Sequence, residues 1–164
     1  MLNDVYNKRI LRLAADIPHI GRLDDPDASA VAVSRLCGSK VTVDLSLQEG
    51  VVSDFAHDVR ACALGQASSS IMARNIIGST PAELRDVGAK MRAMLQDDGP
   101  PPTGKWADFE ILTPVREFKS RHASTLLTFD AVEDALDQIE ASHPCVSEAA
   151  TGCGDGAQST EACP

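Results

Sequence analysis

The chain has 164 residues, 43% of them apolar, enough to bury one proper core and short for two. Its 15 Lys and Arg against 24 Asp and Glu leave a formal net charge of −9, which argues against a nucleic-acid surface or an anionic membrane as partner. No apolar run reaches the roughly 18 residues of a spanning helix, and the start, Met1 to Arg9, lacks the basic-then-apolar order of a signal peptide. A cytoplasmic address is therefore expected, where the five cysteines stay thiols.

Leu2, Tyr6, Ile10 and Leu13 recur at helical spacing and predict an N-terminal amphipathic helix. A strand is expected over Ser29 to Leu36. A second follows, in which Val41, Val43, Leu45 and Leu47 alternate with Thr42, Asp44, Ser46 and Gln48, the pattern of a half-buried strand. Glu49-Gly50 supplies a tight turn, glycine taking the positive φ it needs, and Val51 to Val59 returns as the partner strand.

From Ala63 to Ile77 a helix is expected, with Leu64, Ala67, Ile71 and Ile76 on one side and a stop at Gly78. Its small residues, Gly65 and Ser68 to Ser70 among them, would let it approach the sheet closely. Thr80-Pro81-Ala82-Glu83 is a capping box with proline at the first helical position, and Leu84, Val87, Met91 and Leu95 carry that helix inward. Gln96 to Gly104, with three consecutive prolines, is a surface loop. Phe129, Val132, Leu136 and Ile139 stripe a last helix from His122 to Ala141. The expected fold class is α+β, a small antiparallel three-stranded sheet covered by helices. From about Ser142 the composition turns to Ala, Gly, Ser, Thr and Glu, so residues 1–141 are read as the domain and 142–164 as a disordered acidic tail. Cys145, Cys153 and Cys163 fall in that tail at spacings that match no familiar metal knuckle.

Two cysteines remain. Cys37 stands before the second strand and Cys62 before a helix, 25 residues apart, with one hairpin between them. The chain thus leaves the first thiol, runs out and back, and returns beside it. A helix N-terminus favours thiolate over thiol, so Cys62 is expected to be activated. Thiolate binds soft metals and attacks sulfur, which suits metal binding or sulfur transfer. The plainer alternative makes both small buried core residues.

Cys37-Gly38, Gly50 to Asp54, Cys62 to Met72 and Pro114 to Leu127 together resemble the IscU/NifU N-terminal/SufU family of iron–sulfur cluster assembly scaffolds. The resemblance implies an IscU/SufE-like sandwich that works without turnover chemistry of its own. Cys37 and Cys62 would hold iron or a labile cluster, [2Fe–2S] by type. It implies a cysteine desulfurase as sulfur donor and recipient apo-proteins as acceptors. Leu112-Thr113-Pro114-Val115-Arg116 resembles, with changes, the motif that the IscU branch presents to an Hsp70-type chaperone.

The chain departs from the family at two ligand positions. Ser39 stands where members usually carry Asp, and Ser124 aligns with the third cysteine. Ala123 occupies the place of the IscU branch's histidine, with His122 one position back. A serine hydroxyl is a poor ligand for iron or zinc beside thiolate, so a zinc set is incomplete too. A homodimer pooling two pairs of thiols, His122 as a substitute ligand, or a tail cysteine folding back would each repair the site. The alternatives to a scaffold are a persulfide relay protein and a metal-free paralogue.

Overall fold

A computed structural model describes residues 7–142. Helix α1 (Lys8–Ala15) leads into strands β1 (Ala28–Val33), β2 (Lys40–Gln48) and β3 (Val51–Arg60). Helices α2 (Ala63–Asn75) and α3 (Pro81–Gln96) follow, then a run of 3-10 turns (Gly104–Glu117) and helix α4 (Lys119–Ser142). The strands form one antiparallel sheet in the order β1-β2-β3. This is the expected α+β sandwich. Leu2 and Tyr6 of the expected first helix, and the whole tail from His143, lie outside the described residues.

Glu49 and Gly50 both take positive φ, 54° and 80°, as a two-residue hairpin turn with right-handed strand twist requires. One irregularity between Ser46 and Leu47 shifts the register. Ala28, Ala30, Val41, Val43, Leu45 and Phe55 share the face under α2 and α4 and belong to the core. Fully burying each Leu, Val or Phe stabilises the fold by about 1.5–3 kcal/mol.

The opposite face of β2 is not the solvent face its alternation predicts. Asp44 is fully buried and Thr42 nearly so. The connection between α1 and β1 wraps round the outer edge of β3, where Gly21 N–H donates to the His57 carbonyl and His57 N–H to the His19 carbonyl. It then crosses beneath the sheet. Arg22 donates twice to the Asp44 carboxylate, at 2.7 and 3.0 Å, and Leu23 N–H and the Ser29 hydroxyl complete the ring at 3.0 and 2.6 Å. Burial opposes ionisation of Asp44, yet Arg22, Ser29 and Leu23 outweigh it and hold the carboxyl below its usual range. His57 is buried on the core face with Nε2–H donating to the Pro18 carbonyl at 2.9 Å, and burial pushes its pKa down.

Other expectations shift for local reasons. β1 stops at Val33 because Ser34 to Cys37 turn toward β2, closed by Ser34 N–H on the Ser39 carbonyl at 2.8 Å. The small residues Ser68 and Ser70 of α2 bond to neighbouring segments on the helical side and not to the sheet. Ser68 Oγ donates to the Thr125 carbonyl of α4 at 2.8 Å and Ser70 Oγ to the Asp16 carbonyl beyond α1 at 3.1 Å. In α3 the Thr80 hydroxyl accepts from Glu83 N–H as a cap should, whereas the Glu83 carboxylate turns to Trp106 Nε1–H at 3.1 Å. α4 begins three residues before His122, at Lys119.

The 3-10 run was not foreseen. Trp106, Phe109, Leu112 and Val115 recur at strict three-residue spacing, the period that puts every side chain of a 3-10 helix on one face. All four are buried, and Phe109 packs on Phe129 of α4 with ring centroids 5.1 Å apart. The chaperone-motif resemblance therefore falls on a segment whose two large apolar residues, Leu112 and Val115, are fixed in the core.

Candidate functional site

The hairpin register decides where the cysteines emerge. Lys40, the first residue of β2, pairs with Arg60, the last of β3. Cys37 and Cys62 lie just outside that pair, so both leave the sheet at the end away from the Glu49-Gly50 turn. α4 closes the same end from above, since the Arg121 charge acts on Cys37 and Ser124, three residues on, touches Cys62.

Cys37 is exposed at the tip of the Ser34–Ser39 connection. Gly38 takes φ +71°, a left-handed turn that suits glycine, and its N–H donates to the Ser34 carbonyl at 2.8 Å. Ser34 and Ser39 are both buried beneath the thiol. The Cys37 S–H donates to Ser34 Oγ at 3.3 Å, and Ser39 Oγ lies 3.0 Å from the sulfur. These hydroxyls, Ser34 first, hold the Cys37 thiol below its ordinary pKa, with the Arg121 charge adding to them against some desolvation. The sequence did not single out this push toward thiolate at Cys37.

Cys62 is half-buried and stands at the N-cap of α2, as expected, but its side chain makes no capping hydrogen bond. Instead the thiol donates to Ser124 Oγ at 3.5 Å, and Ser124 Oγ donates in turn to the Arg121 carbonyl at 3.0 Å. Gly65 makes this approach possible. A Cβ there would come within 2.8 Å of the Ala61 Cβ and 3.0 Å of the Ser124 carbonyl oxygen. The two serines at the divergent ligand positions, Ser39 and Ser124, thus each touch one of the two thiols.

His122 occupies the first turn of α4, buried under the 3-10 run and not facing solvent. Its Nε2 lies 3.1 Å from the Val115 carbonyl and 3.0 Å from that of Arg116. Carbonyls only accept, so Nε2 carries a proton, and in the neutral ring it is Nδ1 that offers a lone pair. Among the described residues no group of three or more His, Cys, Asp or Glu side chains is arranged to hold a metal ion. Cys37, Cys62 and His122 therefore do not form a ready three-ligand set. Ser34 and Arg121 were missed in the sequence. Nothing marked a serine three residues before Cys37, and Arg121 is a neighbour only through the packing of α4.

Two thiols at one end of a helix-covered three-stranded sheet define a class, the small thiol-bearing α+β sandwiches. The chain belongs to the NifU-like N terminal domain family, whose model matches residues 5–125. It is 25% identical over 135 residues to the iron-sulfur cluster assembly scaffold protein IscU of Thermotoga maritima, covering 82% of this chain and 94% of that one. The scaffold protein of the same name from Streptococcus pyogenes serotype M1 is 24% identical over 135 residues, covering 82% and 84%. In structure the chain is similar to a nitrogen-fixing NifU-like protein (N-terminal) from Brucella abortus, with a TM-score of 0.84, 58% identity, and 85% and 97% of the two chains covered. A putative iron-sulfur cluster assembly scaffold protein for the SUF system from Fervidobacterium islandicum shares the fold, with a TM-score of 0.75 at 20% identity and 82% and 98% coverage. No helix among the described residues is long and apolar enough to cross a membrane.

Proposed function

We propose that this protein is an iron–sulfur cluster assembly scaffold or carrier whose Cys37 and Cys62 hold iron or a labile [2Fe–2S] cluster as cargo. One observation supports the reading: the only cysteines among the described residues flank the same end of one hairpin, just outside the Lys40–Arg60 pair. A cysteine desulfurase would supply sulfur and apo-proteins would receive the cluster, and the protein itself would catalyse no turnover. Four thiolates complete a [2Fe–2S] core, so two ligands would come from outside this pair, from a second copy, a bound partner or the cysteines at 145, 153 and 163. His122 is a weaker candidate, through Nδ1 alone, and Ser124 acts on Cys62 more readily than on a metal.

A second reading, persulfide relay, has its own support in the Cys37 thiol. The hydroxyls of Ser34 and Ser39 favour the thiolate that attacks a donor persulfide. Anaerobic loading with iron, cysteine and a desulfurase separates the two. A scaffold gives cluster absorption and bound iron that Cys37→Ala and Cys62→Ala each abolish. Sulfur retained on Cys37 as a one-sulfur mass increase, with no iron bound, would replace the scaffold by the relay.

A further inference from the structure

A cavity of about 630 Å³ opens at the end of the sheet opposite Cys37 and Cys62, beside the Glu49-Gly50 turn. Its apolar wall is Leu47 of β2, Pro81 and Ala82 at the start of α3, and Ile139 near the end of α4. That volume falls in the range of about 300–1,000 Å³ in which ligand sites are found. The polar groups of the wall are largely taken up by the fold. Asp27 accepts from Leu47 N–H at 2.8 Å, the Thr80 hydroxyl caps α3, and Arg85 holds Asp137 and Glu140 at 2.7 and 3.2 Å. Glu49 adds a carboxylate with no ion-pair partner among the described residues. A fitting occupant is therefore apolar, and it brings no acid to a wall that already carries Asp27, Glu49 and Glu140 against one arginine.

The chain itself continues from the rim of this groove. α4 ends at Ser142, three residues past Ile139, and residues 143–164 follow outside the described residues. The first five of them, His143-Pro144-Cys145-Val146-Ser147, carry no acid, whereas Glu148, Asp155 and Glu161 lie beyond. Val146 is the one Val, Leu or Ile among residues 143–164. Pro144 disfavours helical backbone at His143, which turns the chain off the axis of α4 beside the groove. Four residues separate Val146 from Ser142, a reach of up to about 14 Å. Covalent attachment holds such a segment at an effective concentration on the order of millimolar, so modest apolar contact suffices to seat it.

We infer that residues 143–147 fold back into this groove, placing Pro144 and Val146 against Leu47, Pro81, Ala82 and Ile139 and covering Cys145. The inference goes beyond the scaffold reading and does not depend on it. It has one consequence for that reading. Cys145 sits at the far end of the nine-residue β2, about 30 Å from Cys37, which leaves Cys153 and Cys163 as the thiols beyond α4 that are free to complete a cluster.

The test is alkylation of the full chain by iodoacetamide under native conditions, read thiol by thiol from peptide masses and referred to each thiol's rate in urea. Cys145 is expected to react at least about tenfold more slowly than Cys153 and Cys163. Ala82→Glu puts an acid on the groove wall at an exposed position in the first turn of α3, where the helix itself favours an acid. It should bring the Cys145 rate to within about twofold of Cys153. Val146→Ser should release Cys145 from the other side, and the two changes together should add nothing further. Equal rates for the three thiols in wild type would overturn the seating, as would protection of Cys145 that survives Ala82→Glu. Protection that fades on dilution would overturn it too, and would give the groove to the same segment of a second copy.

Discussion

The body of the molecule and its cysteine end obey opposite rules. In the helical body and under the sheet, several charges are closed off in pairs. Arg92 of α3 is clamped by Glu133 and Asp130 of α4, Arg85 meets Asp137 and Glu140, and the buried Asp44 satisfies four donors. At the cysteine end Arg35, Lys40 and Arg121 have no ion-pair partner among the described residues, Leu36 stands in solvent, and the Cys37 sulfur rests on two hydroxyls. The difference shows where the fold keeps its stability. A site that exchanges ligands or partners must stay accessible, so the interactions that hold the chain together are placed elsewhere.

Breaking the closed part should have the largest effect. Asp44→Ala leaves Leu23 N–H and the Ser29 hydroxyl without their acceptor and frees the strap beneath the sheet, at a cost of about 2–3 kcal/mol in urea unfolding. The pH dependence has a definite sign. Because the folded-state pKa of Asp44 is depressed, the unfolded chain binds the proton first, so this contribution is full above about pH 4 and fades as pH falls further. An Asp44→Asn variant should lose that acid dependence.

A middle effect is expected where body and site meet. Gly65→Ala pushes a Cβ against Ala61 and the Ser124 carbonyl and should cost about 1–3 kcal/mol. It should also move Ser124 away from Cys62, which faster alkylation of Cys62 in the folded protein would report. Unchanged alkylation would mean that α4 does not govern access to this thiol. The smallest effect belongs to the open end. Leu36→Ser should shift unfolding free energy by no more than about 0.5 kcal/mol, and a larger loss would erase the contrast between the two regions.

The elements were legible wherever a short-range pattern carried them. The alternation of Val41, Val43, Leu45 and Leu47 located β2, Glu49-Gly50 located its turn, and Thr80-Pro81 the start of α3. The 3-10 run was equally written in the spacing of Trp106, Phe109, Leu112 and Val115, but no element was expected from that period of three. The two cysteines were legible as candidate site residues from their places before a strand and before a helix.

What surrounds them was not. Sequence by itself determined which residues are thiols, which segments alternate and where the chain turns, because those properties depend on identity and local spacing. Tertiary structure alone decided that Asp44 lies buried under Arg22, that Ser34 and Ser39 sit beneath Cys37, and that α4 brings Ser124 to Cys62 and Arg121's charge toward Cys37. Apart from the local contacts of Ser34 and Ser39 with Cys37, each of these depends on segments far apart in sequence meeting in space. The longer-range contacts arise from packing of the whole core, which no local pattern encodes.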